Sequence, residues 1–68
     1  MPDLAELARR QHGALSLQQL AAQGISQEEA RRRVRRGEWR RLRSGVVGVT
    51  RPSTELGSLA QAAWAVLV

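Results

Sequence analysis

Arginine is the side chain whose abundance and spacing in this sequence point to chemistry. Eight of the eleven arginines fall between Arg31 and Arg43, and the chain has no lysine. Arg31, Arg32, Arg33, Arg35 and Arg36 precede Gly37, and Arg40, Arg41 and Arg43 follow it. A guanidinium presents its donors as a rigid planar fork, which matches paired acceptors: two phosphate oxygens, or O6 and N7 of guanine. Residues 31–43 carry these eight arginines against one acid, Glu38, a net charge of +7. The other three arginines and five acids sum to −2. A GC-rich genome raises arginine throughout a chain and does not gather it on one element. The clustering is therefore more informative than the total of +5. The competing reading of such a run is a solvated charged face.

Other chemistries find little material. There is no cysteine, so neither a disulfide framework nor a thiolate metal site is available. His12 is the only histidine and the six acids are scattered, which leaves no set of residues for a metal site or His-based catalysis. No catalytic, cofactor-binding or metal-binding residue is expected. The N-terminus lacks the basic flank and apolar run of a signal peptide. The longest apolar run, Ala62 to Val68, is far short of the roughly 20 residues that span a bilayer. A cytoplasmic protein with no membrane partner is the expectation.

The elements that must carry the arginines can be read from apolar spacing and caps. Leu4, Leu7 and Ala8, with Ala5 beside them, predict a helix from Asp3 to Gln11, capped by Asp3 and ended by Gly13. Ala14 and Leu15 leave room for only a very short extended segment. Ser16-Leu17-Gln18-Gln19 is a capping-box pattern opening a second helix that stops at Gly24. Ser26-Gln27-Glu28-Glu29 repeats the pattern and opens a third. Two capped helices across a glycine turn have helix-turn-helix length and punctuation.

At about 100° per residue, Ala30 and Val34 fall within about 40° of each other and define the buried side of the third helix. Arg32 points nearly opposite, with Glu28, Arg31, Arg35 and Arg36 around it and Arg33 on the flank near the core edge. From Glu38 the pattern becomes β-like. An arm near 38–43, a tight turn at Ser44-Gly45 and a return near 46–50 are expected. Trp39 and Leu42 cannot share a face by strict alternation, so either a bulge intervenes or Trp39 packs at the strand entrance. Trp39 and Trp64 read as core or interface residues, and His12 as a surface residue. Ser53 or Thr54 can cap a fourth helix containing Leu56, Leu59, Ala60, Ala63, Trp64 and Leu67. The fold class expected is mainly α with a small β-hairpin wing, a winged helix-turn-helix. Its DNA-binding unit spans residues 1–51. Residues 52–68 form a C-terminal helix expected to lead to a missing domain or an interface.

In helix-turn-helix docking, the N-terminal part of the second helix faces base edges. That assigns Gln27, Arg31 and Arg32 to bases, and Arg35 and Arg36 to phosphates. Glu28 can accept from cytosine N4 or pair with Arg32 at i+4. The helix starts at Ser16 and Ser26 offer free N–H groups that suit phosphate, with plain capping as the alternative. In the hairpin, Arg41 and Arg43 share a face and reach the minor groove or backbone, whereas Arg40 points away and is solvated. The candidate DNA-binding residues are thus Ser26, Gln27, Arg31, Arg32, Arg35, Arg36, Arg41 and Arg43.

Several strings of residues resemble the N-terminal winged-helix domain of AbiEi-type antitoxins. They are Leu7-Ala8-Arg9-Arg10, Gly13-Ala14-Leu15-Ser16, Gln19-Leu20 and Gly24-Ile25-Ser26. The match continues through Arg32-Arg33-Val34-Arg35-Arg36-Gly37, Trp39, Leu42 and Gly45-Val46, covering roughly residues 4–50. One departure is Val47, where the family often has an aromatic residue, so the local wing packing differs. The resemblance implies a transcriptional regulator of a toxin–antitoxin system that binds its own operon promoter. Double-stranded DNA is then the main partner, with a cognate toxin protein and a second copy of the chain as further candidates. Similar domains also precede nuclease-like domains, so a DNA-targeting module of such a protein is the first alternative. A winged helix that binds an acidic protein partner is the second.

Overall fold

The computed structural model describes residues 3–68. Its elements are α1 (Leu4–Arg10), β1 (Ala14–Ser16), α2 (Leu17–Ala22), α3 (Gln27–Arg35), β2 (Arg40–Arg43), β3 (Val46–Gly48) and α4 (Glu55–Leu67). Four helices and a three-stranded antiparallel sheet make a helix-turn-helix with a β-hairpin wing.

Short polar side chains set where the helices begin. Asp3 Oδ1 accepts from the Glu6 amide at 2.8 Å, Ser16 Oγ from Gln19 at 3.0 Å, and Thr54 Oγ1 from Gly57 at 3.0 Å. Each bond satisfies one of the donors that a helix leaves unpaired in its first turn. At Ser16 the box closes in full, because Gln19 Oε1 accepts in return from the Ser16 amide at 3.0 Å. At Ser26 only half of the expected box forms: Ser26 Oγ accepts from the Glu29 amide at 3.1 Å, with no return bond from the Glu29 side chain. That carboxylate is engaged by Arg32 and Arg33 instead. Charge-assisted pairing wins over a neutral backbone donor.

Between α1 and β1 the chain turns through two left-handed residues, His12 at φ 53° and Gly13 at φ 84°. A Cβ at Gly13 would overlap the Thr50 side chain, so only glycine fits both the dihedral and the space. The short extended segment that follows is a full member of the sheet. In β1, Ala14 pairs with Gly48, Leu15 with Val47 and Ser16 with Val46. Strand order is β1-β3-β2, with the wing's return strand in the centre. Both solutions to the Trp39–Leu42 spacing occur together. Trp39 packs just before β2 at 7% exposure, and the register slips between Arg41 and Arg43, which pair with Val47 and Val46.

The sheet has a cluster on each face. Leu15 and Val47 meet Ala8, Leu20, Ala30 and Trp39 from the first three helices and the α3–β2 link. Ala14 and Val46 meet Ala65 of α4, with Leu42 and Trp64 beside them. The domain is thus three layers deep, with the sheet in the middle.

The fourth helix turns its leucines outward. Leu56, Leu59 and Leu67 are 79%, 62% and 73% exposed, whereas Gln61 and Ala65 point inward. Gln61 accepts from Arg40 Nη2 at 2.6 Å and donates through Nε2 to the carbonyls of His12 and Thr50, at 3.0 and 2.9 Å. Two carbonyls at the sheet's end need a donor once covered, and leaving them unpaired costs more than burying another leucine gains. A polar residue therefore takes the inward position. Arg40, expected to be solvated, has its guanidinium held by this glutamine.

Candidate nucleic-acid interface

Helix α3 is amphipathic in an unusual sense: one narrow apolar stripe and a surface otherwise made of arginine and glutamate. Ala30 is buried and Val34 half-buried, as their i, i+4 spacing predicts. The polar residues divide into two flanks around the outward point at Arg32. On one flank, Gln27, Arg31 and Arg35 follow at intervals of four and look toward the wing. On the other lie Glu29, Arg33 and Arg36.

The wing-side flank and β2 line a groove of about 380 Å³. Gln27, Arg31 and Arg35 stand on one wall, and Arg41 and Arg43 on the other. Ala30, Val34, Val46 and Val47 contribute the apolar floor. The Leu17 amide at the start of α2 donates to the Gly45 carbonyl at 2.9 Å, which pins the wing's turn against the helix pair. Because of the bulge, Arg43 also reaches the opposite side of the hairpin, where it borders the cleft against α4.

The arginines differ in how they are held. Arg31, Arg35, Arg41 and Arg43 have no hydrogen-bond or ion-pair partner among the described residues. Four unneutralised guanidinium groups around one groove give it a strongly positive potential. Arg32 Nη1 contacts Glu29 Oε1 at 2.8 Å, and Arg33 Nε donates to Glu29 Oε2 at 3.0 Å. The Arg33 guanidinium also lies 4.9 Å from the centre of the Trp39 ring, a cation–π distance. Arg36 sits 3.7 Å from Glu38 Oε2, an open contact between exposed groups.

Of the eight residues singled out from the sequence, Gln27, Arg31, Arg35, Arg41 and Arg43 come together in the groove. Ser26 caps α3 beside it, Arg32 stands at the outermost line of the helix, and Arg36 occupies the far flank. Glu28, offered as a partner for Arg32, makes no such contact; Glu29 takes that place at i+3. Glu29 reads in the sequence only as a capping-box member, although its spacing to Arg32 and Arg33 was the available signal for these pairs. The Arg33 hydrogen bond foremost, opposed by partial desolvation and aided by the fields of Arg32, Arg33 and Arg36, holds the Glu29 carboxyl below the usual carboxylate range. It is therefore ionised at neutral pH.

Among the described residues no cluster of His, Asp or Glu is arranged to hold a metal ion, and no helix is long and apolar enough to cross a membrane. No curated protein and no solved structure matches the chain. A family model does, that of the AbiEi antitoxin transcriptional regulators, over residues 2–50, which take in the helix-turn-helix and the whole wing. By that match the chain belongs to the AbiEi antitoxin family of transcriptional regulators.

Proposed function

We propose that this regulator binds double-stranded DNA, with α3 in the major groove and the β2–β3 wing on the adjacent backbone or minor groove. The observation that carries the reading is the convergence of Arg31 and Arg35 from the helix with Arg41 and Arg43 from the wing, all unpaired, on one groove. A solvated charged face does not require two elements to present free cations toward the same space. Gln27, Arg31 and Arg32 face base edges, Arg35 and Arg36 take phosphates, and Arg41 and Arg43 follow the backbone beyond the helix. Ser26 adds the amide groups of the α3 N-terminus. Residues 1–51 form the binding unit. The domain acts as the antitoxin's promoter-binding part in the cytoplasm, with a cognate toxin as the system's other protein, and carries out no catalysis itself.

The test is binding to a fluorescent duplex from the protein's own promoter region, against a scrambled duplex, over a salt series. A preference for the promoter with a steep salt dependence, about 0.9 log units per neutralised phosphate, is expected. Equal weak binding to both would reduce the site to a general basic surface. No binding at low salt would overturn the reading and favour an acidic protein partner.

A further inference from the structure

Arg32 differs from the unpaired arginines in being tied, through a chain of contacts, to the core. Trp39 is buried at the α3–β2 link. Arg33 lies over its ring, and Arg33 Nε binds Glu29 Oε2. Glu29 Oε1 in turn receives Arg32 Nη1 at 2.8 Å. The two oxygens of one carboxylate thus serve two arginines, one lying on the core and one at the helix's outermost line. An exposed i, i+3 ion pair alone orders little, because water and salt compete for both partners. Here the carboxylate is itself held from the core side, so its direction is set before Arg32 meets it.

We propose that Glu29 and Arg33 are positioning residues that hold Arg32 ready to read guanine, which makes Arg32 the principal source of sequence preference. This inference rests on the DNA-binding reading. The contact to Glu29 uses one hydrogen of Nη1, and the rest of the guanidinium fork stays available for O6 and N7. A long side chain already confined loses less freedom when it docks on a base, so more of the contact's free energy appears as discrimination. The neighbouring carboxylate also repels phosphate, which discourages Arg32 from resting on the backbone in the wrong register. Arg35, Arg41 and Arg43 have no such tether, and untethered guanidinium groups suit phosphates that lie at the same places on every sequence. Arg31 faces base edges too, but without a tether its direction is not set in advance, so it adds less to the preference than Arg32.

The experiment compares the full chain with Glu29→Ala, Arg33→Ala, Arg32→Lys and the double variant E29A/R32K, on the promoter and scrambled duplexes. Thermal melts verify that each variant is folded. Glu29→Ala removes a negative charge, so it should bind scrambled DNA more tightly while its promoter-to-scrambled ratio falls, roughly tenfold. Those opposite movements are the signature of a positioning role, since a purely electrostatic effect moves both duplexes together. Arg33→Ala should lower the ratio without the gain on scrambled DNA. Arg32→Lys, a point charge in place of a fork, should lower the ratio by itself, and adding Glu29→Ala to it should lower the ratio no further. A ratio left intact in Glu29→Ala, with the unaltered chain still preferring its promoter, overturns this inference alone. Failure of the unaltered chain to bind any duplex overturns the DNA reading and this inference with it.

Discussion

Gly13 does more for this fold than its size suggests. It sits at φ 84° directly after a second left-handed residue, and the Thr50 side chain fills the space where a Cβ would project. The turn it makes delivers Ala14 into register with Gly48 and allows the Val49 amide to bond the Gly13 carbonyl at 2.8 Å. Gly13→Ala therefore combines an unfavourable dihedral with an overlap at the sheet's end. A loss of about 2 kcal/mol or more in unfolding free energy is expected by denaturant titration. Residue-level chemistry was only partly legible in the sequence. The arginine cluster announced the candidate site, because charge density on a short stretch needs no tertiary information. The sharing of Glu29 between Arg32 and Arg33 was not legible, because Glu28 and Glu29 both stand at pairing distance along the helix. The choice between them is made by Trp39, which fixes Arg33 from outside the helix.

At the level of elements, α3 and α4 show where periodicity succeeds and where it fails. Helix α3 has only Ala30 and Val34 as apolar members, so its inward stripe has a single solution. Helix α4 has leucine, alanine or valine in almost every direction, so spacing alone cannot choose a face. What chooses it are the carbonyls of Thr50 and of His12, both outside the helix and the latter 49 residues away, which draw Gln61 inward and leave Leu56 and Leu59 outside. Leu59→Gln is accordingly expected to change stability by no more than about 0.5 kcal/mol, whereas Ala65→Phe, which forces a large ring into the close packing against Ala14 and Val46, should cost several times as much. Paired thermal melts decide this, and equal losses would mean that α4 lies on its other face. The very short extended segment at Ala14 and Leu15 was legible, but its place in the sheet was hidden for a different reason. Three residues are too few to show alternation, and its partner β3 lies 30 residues along the chain. The helix-turn-helix and the hairpin, whose signals are local caps and turns, were legible almost to the residue.

Across the whole molecule, the sheet separates two surfaces of different character. The α3 side presents unpaired cations, and the α4 side holds Arg40 in its hydrogen-bonded clasp with Gln61. Arginines that look alike in sequence should therefore behave differently in one salt series. Arg35→Ala should reduce the salt slope on all duplexes by about one unit. Arg40→Ala should leave the slope nearly unchanged and instead lower the melting temperature. The same loss of slope in both would show that Arg40 leaves Gln61 to join the DNA.

The pairing of β1 with β3 has a consequence for how the arginine-lined groove comes into being. Residues 14–16 meet residues 46–48, so α2, α3 and β2 all lie inside one chain loop closed by these short strands. Closing that loop costs entropy before its interior contacts can repay it, so the loop contents gain their stability together. No subset of the helix-turn-helix then persists once the strands part. Amide exchange in α3 and in β3 should consequently follow one shared opening, with similar protection in both. A cell protease or a chaperone would meet either the complete arginine-lined groove or none of it.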